Sequence, residues 1–175
     1  MKKLILLLIL ISFSSCKKSL GDVDFTTNLS KTSDEIVVNK TKQQGVTGVY
    51  ETEFVLDLSN SDTKEYLNKL KNLDLKEVGL SFQGLSGLIN NRNITTLSIS
   101  FDDQVVIVLN NFVYSQVANG NVFNLTQTQK LNEVAQILLN KKKVKIKIVG
   151  NIPDPTEYHF FIKFMAKADI TANVL

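Results

Sequence analysis

The sequence predicts a mainly β protein: an antiparallel β-sandwich, immunoglobulin-like or related, with two short α-helices in its connections. Most of the chain divides into about eight segments in which apolar and polar residues alternate with the period of half-buried strands. Turn residues separate these segments, and two stretches have helical spacing instead. Because strands and helices do not alternate regularly along the chain, a parallel sheet is disfavoured.

Three strands are predicted in the N-terminal third. The first has its inward positions at Val23, Phe25, Thr27 and Leu29. Residues 36–38 form a short second strand. Residues 49–58 alternate most clearly, and the apolar face of this third strand consists of Tyr50, Thr52, Phe54, Leu56 and Leu58.

Two segments predict helices. In the first, Asp62 and Glu65 have the spacing of a capping box and precede apolar residues at helical offsets: Tyr66, Leu67, Leu70 and Leu73. In the second, Thr126 and Gln129 repeat the capping pattern. The apolar face of this helix consists of Leu131, Val134, Ala135, Leu138 and Leu139. It is expected to end near Asn140, where lysines 141–143 favour the negative end of the helix dipole.

The remaining strands follow the same alternation. We predict strands over residues 75–82 and 94–101, a turn at 102–104, and strands over 105–109 and 144–149. The run 105–109 is apolar on both faces, which predicts a central position in the sheet. After a turn at Pro153-Asp154-Pro155, a long final strand has Phe160, Ile162, Phe164, Ala166, Ala168 and Ile170 on one face.

The N-terminus has the three parts of a secretory signal peptide. Lys2 and Lys3 provide positive charge, residues 4–11 are an unbroken apolar run, and small polar residues with one Phe precede Cys16. The apolar run is too short to span a bilayer, which takes about 20 apolar residues. We therefore expect residues 1–15 to be cleaved, residues 16–21 to form a short tether and residues 22–175 to form one domain.

The run Phe13-Ser14-Ser15-Cys16 resembles the lipobox of bacterial lipoproteins, in which an apolar residue and two small residues precede the lipidated cysteine. Leu is commonest where this chain has Phe13. The resemblance implies diacylglyceryl transfer to the Cys16 sulfur, cleavage before Cys16 and acylation of the new amino group. Two or three acyl chains would give a stable membrane anchor.

The residues after Cys16 resemble those of outer-membrane lipoproteins. Lys17 stands where Asp would resemble an inner-membrane retention signal. The Ser-Ser-Cys-Lys-Lys run and the Asn- and Lys-rich, Trp-free composition look like lipoproteins of the Bacteroidota, some of which reach the cell surface. Their surface-export signal resembles a Lys followed soon by acids, and the first acid here is Asp22. The resemblance leaves the periplasmic face and the cell surface both open.

Few groups suited to catalysis remain in the mature chain. Cys16 is the only cysteine, so no disulfide is expected, and acylation removes its thiol. His159 is the single histidine, and because no nucleophile is marked as its partner we expect an edge or loop position for it. The doublet Asp102-Asp103 fits a turn better than a glycosidase carboxylate pair. We therefore expect no enzyme activity, no cofactor and no metal site.

The remaining candidates are contact residues. Without Lys2 and Lys3 the chain has 18 basic and 17 acidic side chains, which gives no electrostatic reason to propose nucleic acid as a partner. Lysines 141–147 could approach anionic lipid, but a helix end followed by the solvent face of a strand is the favoured interpretation. Tyr114 is the tyrosine that predicted elements explain least. The candidate partner or ligand contacts are Tyr114, Lys145, Lys147 and His159.

Two classes of function fit these observations. The preferred one is a non-enzymatic envelope module that binds a protein partner through a sheet edge or loop end, as an accessory subunit of an outer-membrane assembly does. The other is a glycan- or lipid-binding lipoprotein, which an apolar cleft or a row of exposed tyrosines would favour. An enzyme with a carboxylate-based site is the third.

Overall fold

A computed structural model describes residues 21–38, 48–85, 94–152 and 157–175. The predictions for the signal peptide, Cys16 and the Pro153-Asp154-Pro155 turn lie outside the described residues. The strands are β1 Asp22–Thr32, β2 Ile36–Val38, β3 Gly48–Asp57, β4 Leu70–Gln83, β5 Ile94–Phe101, β6 Val105–Val113, β7 Val122–Asn124, β8 Lys143–Ile152 and β9 Tyr158–Asn173, and the helix α1 is Thr128–Lys141. Neither α1 nor any other described helix is long and apolar enough to cross a membrane.

The strands form two antiparallel sheets, which confirms the mainly β, antiparallel prediction. Within the described residues, the first sheet has the order β1-β9-β4-β7, with β2 also paired to β9, and the second has the order β3-β8-β5-β6. Both sheets contribute to one core. Phe101 of β5 and Phe164 of β9, for example, meet across it with ring centroids 6.0 Å apart.

The pairing between strands is nested. The first strands β1 and β2 pair with the last strand β9, β3 pairs with β8, β4 with β7 and β5 with β6. This is a long hairpin wound into two sheets, the arrangement of a jelly roll. An immunoglobulin-like sandwich has the sheet orders ABED and CFG instead. The immunoglobulin-like form of the prediction is therefore corrected, while the sandwich-like packing of two sheets stands.

The alternation in the sequence matches the buried faces of most strands. In β3, Tyr50, Thr52, Phe54 and Leu56 point inward and the residues between them outward. In β4 the inward positions change from odd to even: Leu73 and Leu75 are buried, and then Val78, Leu80 and Phe82. A β-bulge between Leu75 and Glu77 inserts the extra residue that changes the phase.

The first predicted helix is wrong. Residues 59–66 form turns held by the side chain of Asn60, whose Oδ1 accepts hydrogen bonds from the backbone N–H groups of Asp62 and Thr63 at 2.9 and 3.0 Å. One turn of 3-10 helix, Leu67–Lys69, leads directly into β4. Leu70 and Leu73 belong to β4, because the pairing of twelve residues with β9 outweighs a weak local preference for helix.

The second predicted helix is confirmed, and its start is corrected. It begins at Thr128, after Gln127, and no side chain caps its first turn, so Thr126 is not the N-cap residue. Leu131, Val134, Ala135 and Leu138 are buried as predicted. The helix ends where Lys142 adopts a left-handed conformation with φ 63° and donates its N–H to the Leu138 carbonyl. The helix packs on β4 and contacts β6 and β8.

The predicted central position of residues 105–109 is also wrong. These residues begin β6, which has a ladder partner, β5, on one side only among the described strands. Val105, Ile107 and Leu109 face the core, but Val106 and Val108 are 45% and 49% exposed. An apolar run on both faces here marks an exposed edge strand and not a doubly buried one.

Candidate functional site

A polar groove of about 880 Å³ lies between β4 and the outward face of α1. Its floor includes the buried residues Leu73, Leu75 and Ala135. Asn72, Asp74 and Lys76 of β4 form one wall. The wall on α1 consists of Thr128, Gln129, Asn132, Glu133 and Gln136. These helix positions recur at offsets of three and four, so they share one face, which borders the buried stripe at Ala135.

Some polar side chains of this groove have ion-pair partners, and others have no hydrogen-bond partner among the described residues. The charged ones have partners: Lys76 pairs with Asp74, and Glu133 pairs with Lys130 at 3.5 Å. The side-chain amides of Asn72, Gln129, Asn132 and Gln136 make no hydrogen bond to any described residue. Each amide therefore presents both a donor and an acceptor to the groove.

The groove also borders the edge of β4, along which α1 packs. On the side of β4 away from β9, β7 pairs with Gly79, Leu80 and Ser81 only. The backbone N–H of Leu125 extends this contact to the carbonyl of Val78, at 2.8 Å. Between the bulges of β4, residues 72–75 have β9 on one side and the groove on the other.

The four edges of the two sheets differ in their protection. β1 includes Asp22, Asp24 and Lys31, and β7 is three residues long. β3 includes Glu51, Glu53 and Asp57. The sequence of β6, Val105–Val113, contains no charged residue and no proline. Charged residues and short length help to keep an edge from pairing with another chain, and β6 has neither, although α1 contacts this strand.

Lys145 and Lys147 lie on the outer face of β8 opposite acids of β3. Lys147 pairs with Glu51 at 2.6 Å, and Lys145 pairs with Glu53 at 3.5 Å and with Asp103 at 3.4 Å. These carboxylates raise the pKa of both lysines. The candidate contact lysines thus belong to an ion-paired ladder across the sheet and are not a free cationic patch.

Asp102 connects the β5–β6 turn to two other elements. Its carboxylate accepts hydrogen bonds from Nζ of Lys141 and from the backbone N–H of Lys145, each at 2.7 Å. The hydrogen bond from Lys141 is the larger cause of the lowered pKa of Asp102, and the bond from Lys145 adds to it. Asp102 and Asp103 have φ 50° and 57°, the left-handed conformation that Asp tolerates in a tight turn. The turn predicted at 102–104 is confirmed.

His159 lies on the surface between two glutamates. Its Nε2 is 2.8 Å from Oε1 of Glu157, and its Nδ1 is 3.2 Å from Oε1 of Glu35. The hydrogen bond to Glu157, followed by the bond to Glu35, raises the pKa of His159. Glu157 lies two residues before His159 in the sequence. Glu35 reaches His159 because β2 pairs with β9 and places Val37 opposite it, which the sequence does not reveal.

Tyr114 lies in the core and not on a surface. Its hydroxyl is 2.8 Å from that of Tyr50 and donates to the carbonyl of Asn151 at 3.1 Å. Its ring packs edge-on against Phe82 and Phe112. Burial raises the pKa of both tyrosines. Tyr114 is therefore a structural residue, which its position after β6 did not indicate.

Comparison with known proteins finds only weak structural similarity. No protein-family model and no curated protein sequence matches the chain. Among solved structures, the decameric BFDV capsid protein is similar over 85% of this chain and 99% of its own, at 10% identity and a TM-score of 0.47. The structures of turnip yellow mosaic virus and Desmodium yellow mottle tymovirus are also 10% identical. They cover 87% and 93% of this chain and 96% and 95% of their own chains, with TM-scores of 0.32 and 0.30. Likenesses of this size carry no argument about activity.

Proposed function

We propose that this chain is a membrane-anchored, non-catalytic binding module of the bacterial envelope, which binds a protein partner of an outer-membrane assembly through the open edge of β6. The observation that carries the proposal is the contrast between β6 and the other sheet edges. An extended segment of the partner pairs with the backbone of Val105–Leu109, in the mode of strand addition. The bulge at Asn110 and Asn111, opposite Thr96, limits the regular ladder to this part of β6.

The outer face next to this edge favours such a partner. Val106 and Val108 stand beside Ser100 and Ser98 of β5, and Ser98 is also opposite Val149 of β8. The face beside the edge therefore consists of small, uncharged side chains, in contrast to the ion-paired half of the same sheet. Side chains on the same face of a docked strand gain apolar contact with these valines while its backbone pairs with β6.

The membrane anchor of the proposal is Cys16. Five Cα–Cα steps separate Cys16 from Gly21, a reach of about 17 Å when fully extended. Gly21 accepts a hydrogen bond from the N–H of Val174 at 2.8 Å, which fixes the first residue of the domain beside the end of β9. A tether this short keeps the domain at the membrane surface, so we look for its partner in or on that membrane.

Replacing the cysteine tests the anchor. We expect Cys16→Ala to abolish palmitate labelling and to leave an unprocessed or soluble precursor in place of a detergent-phase protein. Cys16→Ser tests the same sulfur with the smallest change in size. Labelling and detergent-phase partitioning that survive both substitutions would refute the lipidation.

Charge substitution tests the edge. Val108→Lys places a cation on the open edge, and Val55→Lys is its matched control on β3, because Val55 is 47% exposed and Val108 49%. We expect Val108→Lys to lose a stoichiometric partner that co-purifies from outer membranes in mild detergent, and a photo-crosslinker at Val106 to link to that partner. Retention of the partner by Val108→Lys, or purification of the wild type as a lone monomer, would contradict the proposal.

The glycan and lipid alternatives have less support. All four tyrosines are described, and Tyr50, Tyr114 and Tyr158 are buried, so no row of exposed tyrosines offers a sugar platform. Lys145 and Lys147 are already paired with acids. The carboxylate of Asp102 is engaged by a lysine and a backbone amide, and that arrangement favours a structural role over a catalytic one.

A further inference from the structure

We infer that the domain stands on the bilayer with the end at which the tether enters, where exposed apolar side chains enter the headgroup region and lysine faces anionic lipid phosphate. The inference rests on the proposed anchor at Cys16 and deepens it, because an anchor alone leaves the orientation of the domain open. Three observations carry it: an apolar cluster where the domain begins, the charges beside that cluster and its position at one end of β9.

Apolar side chains are exposed together where the described domain begins. Val23 and Val174 are each 37% exposed, and Leu175 is 85% exposed. Val174 lies opposite Gly21 and Val23 opposite Ala172, so the two valines are diagonal neighbours on one face of the β1–β9 ladder. The side chain of Leu175 crosses Gly21, where the Cβ of any other residue would overlap it. Val23, Val174 and Leu175 thus form one apolar cluster, the entry cluster.

The charges beside the entry cluster favour an anionic surface. Nζ of Lys69 donates to the carbonyl of Val174 at 3.4 Å, and Lys69 has no acidic partner among the described residues. Asp22 is paired with Lys71 at 2.6 Å, and its side chain is only 8% exposed. The neighbouring acid is therefore neutralised while one lysine remains available. Apolar area together with a cation is the combination that binds a protein surface to anionic lipid.

The strand β9 places the entry cluster at one end of the domain. Ala172 lies 13 residues further along β9 than His159, which is opposite Val37 of β2, and this separation is about 40 Å. The tether from Cys16 meets the domain at Gly21, at the Ala172 end, and spans about 17 Å at most. The end that carries the entry cluster is therefore the end that the anchor holds closest to the lipid.

The outer faces of the two sheets are less suited to an anionic bilayer. On the second sheet, Glu51 and Glu53 pair with lysines of β8. On the first sheet, Glu77 pairs with Lys167, and the side chain of Glu77 is 71% exposed. Exposed carboxylates are repelled by anionic headgroups. A domain lying on either face would bring acids to the lipid and leave the entry cluster in water.

The test uses the mature lipoprotein in vesicles of phosphatidylcholine and phosphatidylglycerol in equal parts. Cys16 is the only cysteine and its sulfur is acylated in the proposal, so Val174→Cys introduces a single thiol for an environment-sensitive fluorophore. We expect its emission to shift to the blue and to be quenched by lipids that carry a nitroxide at the headgroup. Val23→Cys should behave in the same way. Val37→Cys is the matched control, because Val37 is 44% exposed at the far end of β9, and it should show neither effect.

A lysine substitution tests the charge. With the fluorophore at Val174, Lys69→Gln should lower the ratio of docked to undocked domain about 5-fold, the equivalent of about 1 kcal/mol for one lysine near anionic lipid. Lys163→Gln is the control, because Lys163 also has no acidic partner in the described protein but lies opposite Thr32, nine residues before Ala172. It should leave the ratio unchanged. Vesicles of phosphatidylcholine alone should reproduce the effect of Lys69→Gln.

Three outcomes would overturn the inference: equal quenching at Val174 and Val37, quenching at Val106 of β6 in place of Val174, or equal effects of Lys69→Gln and Lys163→Gln. Flotation of the same vesicles tests the anchor separately. If the protein does not float, the labelled chain with Cys16→Ala is attached by an N-terminal hexahistidine tag to nickel-chelating lipid. Quenching at Val174 then supports docking without the lipidation, and its absence refutes docking. Val108→Lys, which tests the β6 edge, should leave docking unchanged.

Discussion

At the scale of single residues, the charged and titratable surface residues that the sequence offers as contact candidates are paired with neighbouring side chains. His159 shows this well, because one of its glutamates comes from its own strand end and the other from the loop before β2. His159 lies on the outward face of β9, an inner strand that is paired with β2 at this residue, and not at the edge or loop position that the sequence predicted. Its outward direction follows from Phe160 and Ile162, which occupy alternating inward positions. Sequence reasoning could not identify Glu35, which is 124 residues away in the chain.

Titration of His159 tests its hydrogen bonds to Glu157 and Glu35. We expect its pKa to lie above 6.5, and Glu157→Gln to lower the pKa more than Glu35→Gln, because the bond to Glu157 is the larger cause. Because the folded pKa is raised, the two hydrogen bonds of His159 stabilise the fold at pH values below its unfolded pKa. This stabilisation is lost as the pH rises through the folded pKa. The single histidine gives one Hε1 resonance to follow, and Glu133→Gln is a distant control. A pKa of His159 at or below 6.5 would show that these two hydrogen bonds do not form.

The two hydrogen bonds to the Asp102 carboxylate can be tested by substitution. Asp102→Asn keeps a residue that tolerates the left-handed turn but weakens two hydrogen bonds to a carboxylate, so we expect a loss of about 1–2 kcal/mol at pH 7. Asp103→Asn is the control, since an exposed ion pair contributes about 0–1 kcal/mol.

The pH dependence of this effect has a definite sign. The folded pKa of Asp102 is lowered from 3.8, so its contribution is present above that value and is lost as pH falls through the folded pKa. The difference between wild type and Asp102→Asn in urea unfolding should therefore shrink below pH 3.8. A difference that stays constant in acid would show that the charge is not responsible.

At the scale of elements, alternation predicted the strands well and helical spacing predicted one helix of two. The strand β5 has the predicted bounds, because Leu97, Ile99 and Phe101 face the core and a left-handed turn follows immediately. Leu67, Leu70 and Leu73 have helical spacing, yet Leu70 and Leu73 belong to β4. This outcome depends on β9, a partner about a hundred residues later, which a local pattern does not contain.

The packing of α1 against the sheets can be tested by truncating its buried leucine. Leu138 is fully buried between α1 and the sheets, so Leu138→Ala should cost about 2–5 kcal/mol through lost burial and the cavity left behind. The neighbouring Leu139 is partly buried, and Leu139→Ala should cost much less. Chemical unfolding followed by circular dichroism measures both. Equal losses would mean that α1 packs through a different face from the one described.

At the scale of the whole molecule, the mainly β, two-sheet architecture followed from the sequence but the winding did not. Nested pairing joins β1 to β9 and β3 to β8, and each of these contacts spans most of the chain. The short strand β7 carries no alternating pattern of its own, and it exists because β4 offers it an edge. The groove was missed for the same reason: Asn72 and Gln136 form no motif, and only the packing of α1 on β4 brings them together.

The core shared by both sheets predicts a single cooperative unfolding event. Tyr50 and Tyr114 lie within it, and burial raises the pKa of each hydroxyl above the usual value of 10.0. Because the folded pKa of each tyrosine is raised, the stability that these protonated hydroxyls contribute is complete below pH 10. It is lost as the pH rises above 10, because the unfolded chain then ionises more readily than the folded one.

We therefore expect Tyr50 and Tyr114 to ionise only as the domain opens in alkali. Absorbance of tyrosinate at 295 nm should contain a step that coincides with the loss of far-ultraviolet circular dichroism, because the tyrosines cannot reach water while the two sheets remain packed. Tyr114→Phe removes one buried phenol, so the amplitude of that step should fall. It should also lower stability by about 1–3 kcal/mol, since it leaves the Tyr50 hydroxyl and the Asn151 carbonyl without their partner. Tyrosinate absorbance that rises to completion well before the circular dichroism changes would mean that the sheets separate locally and do not form one unit.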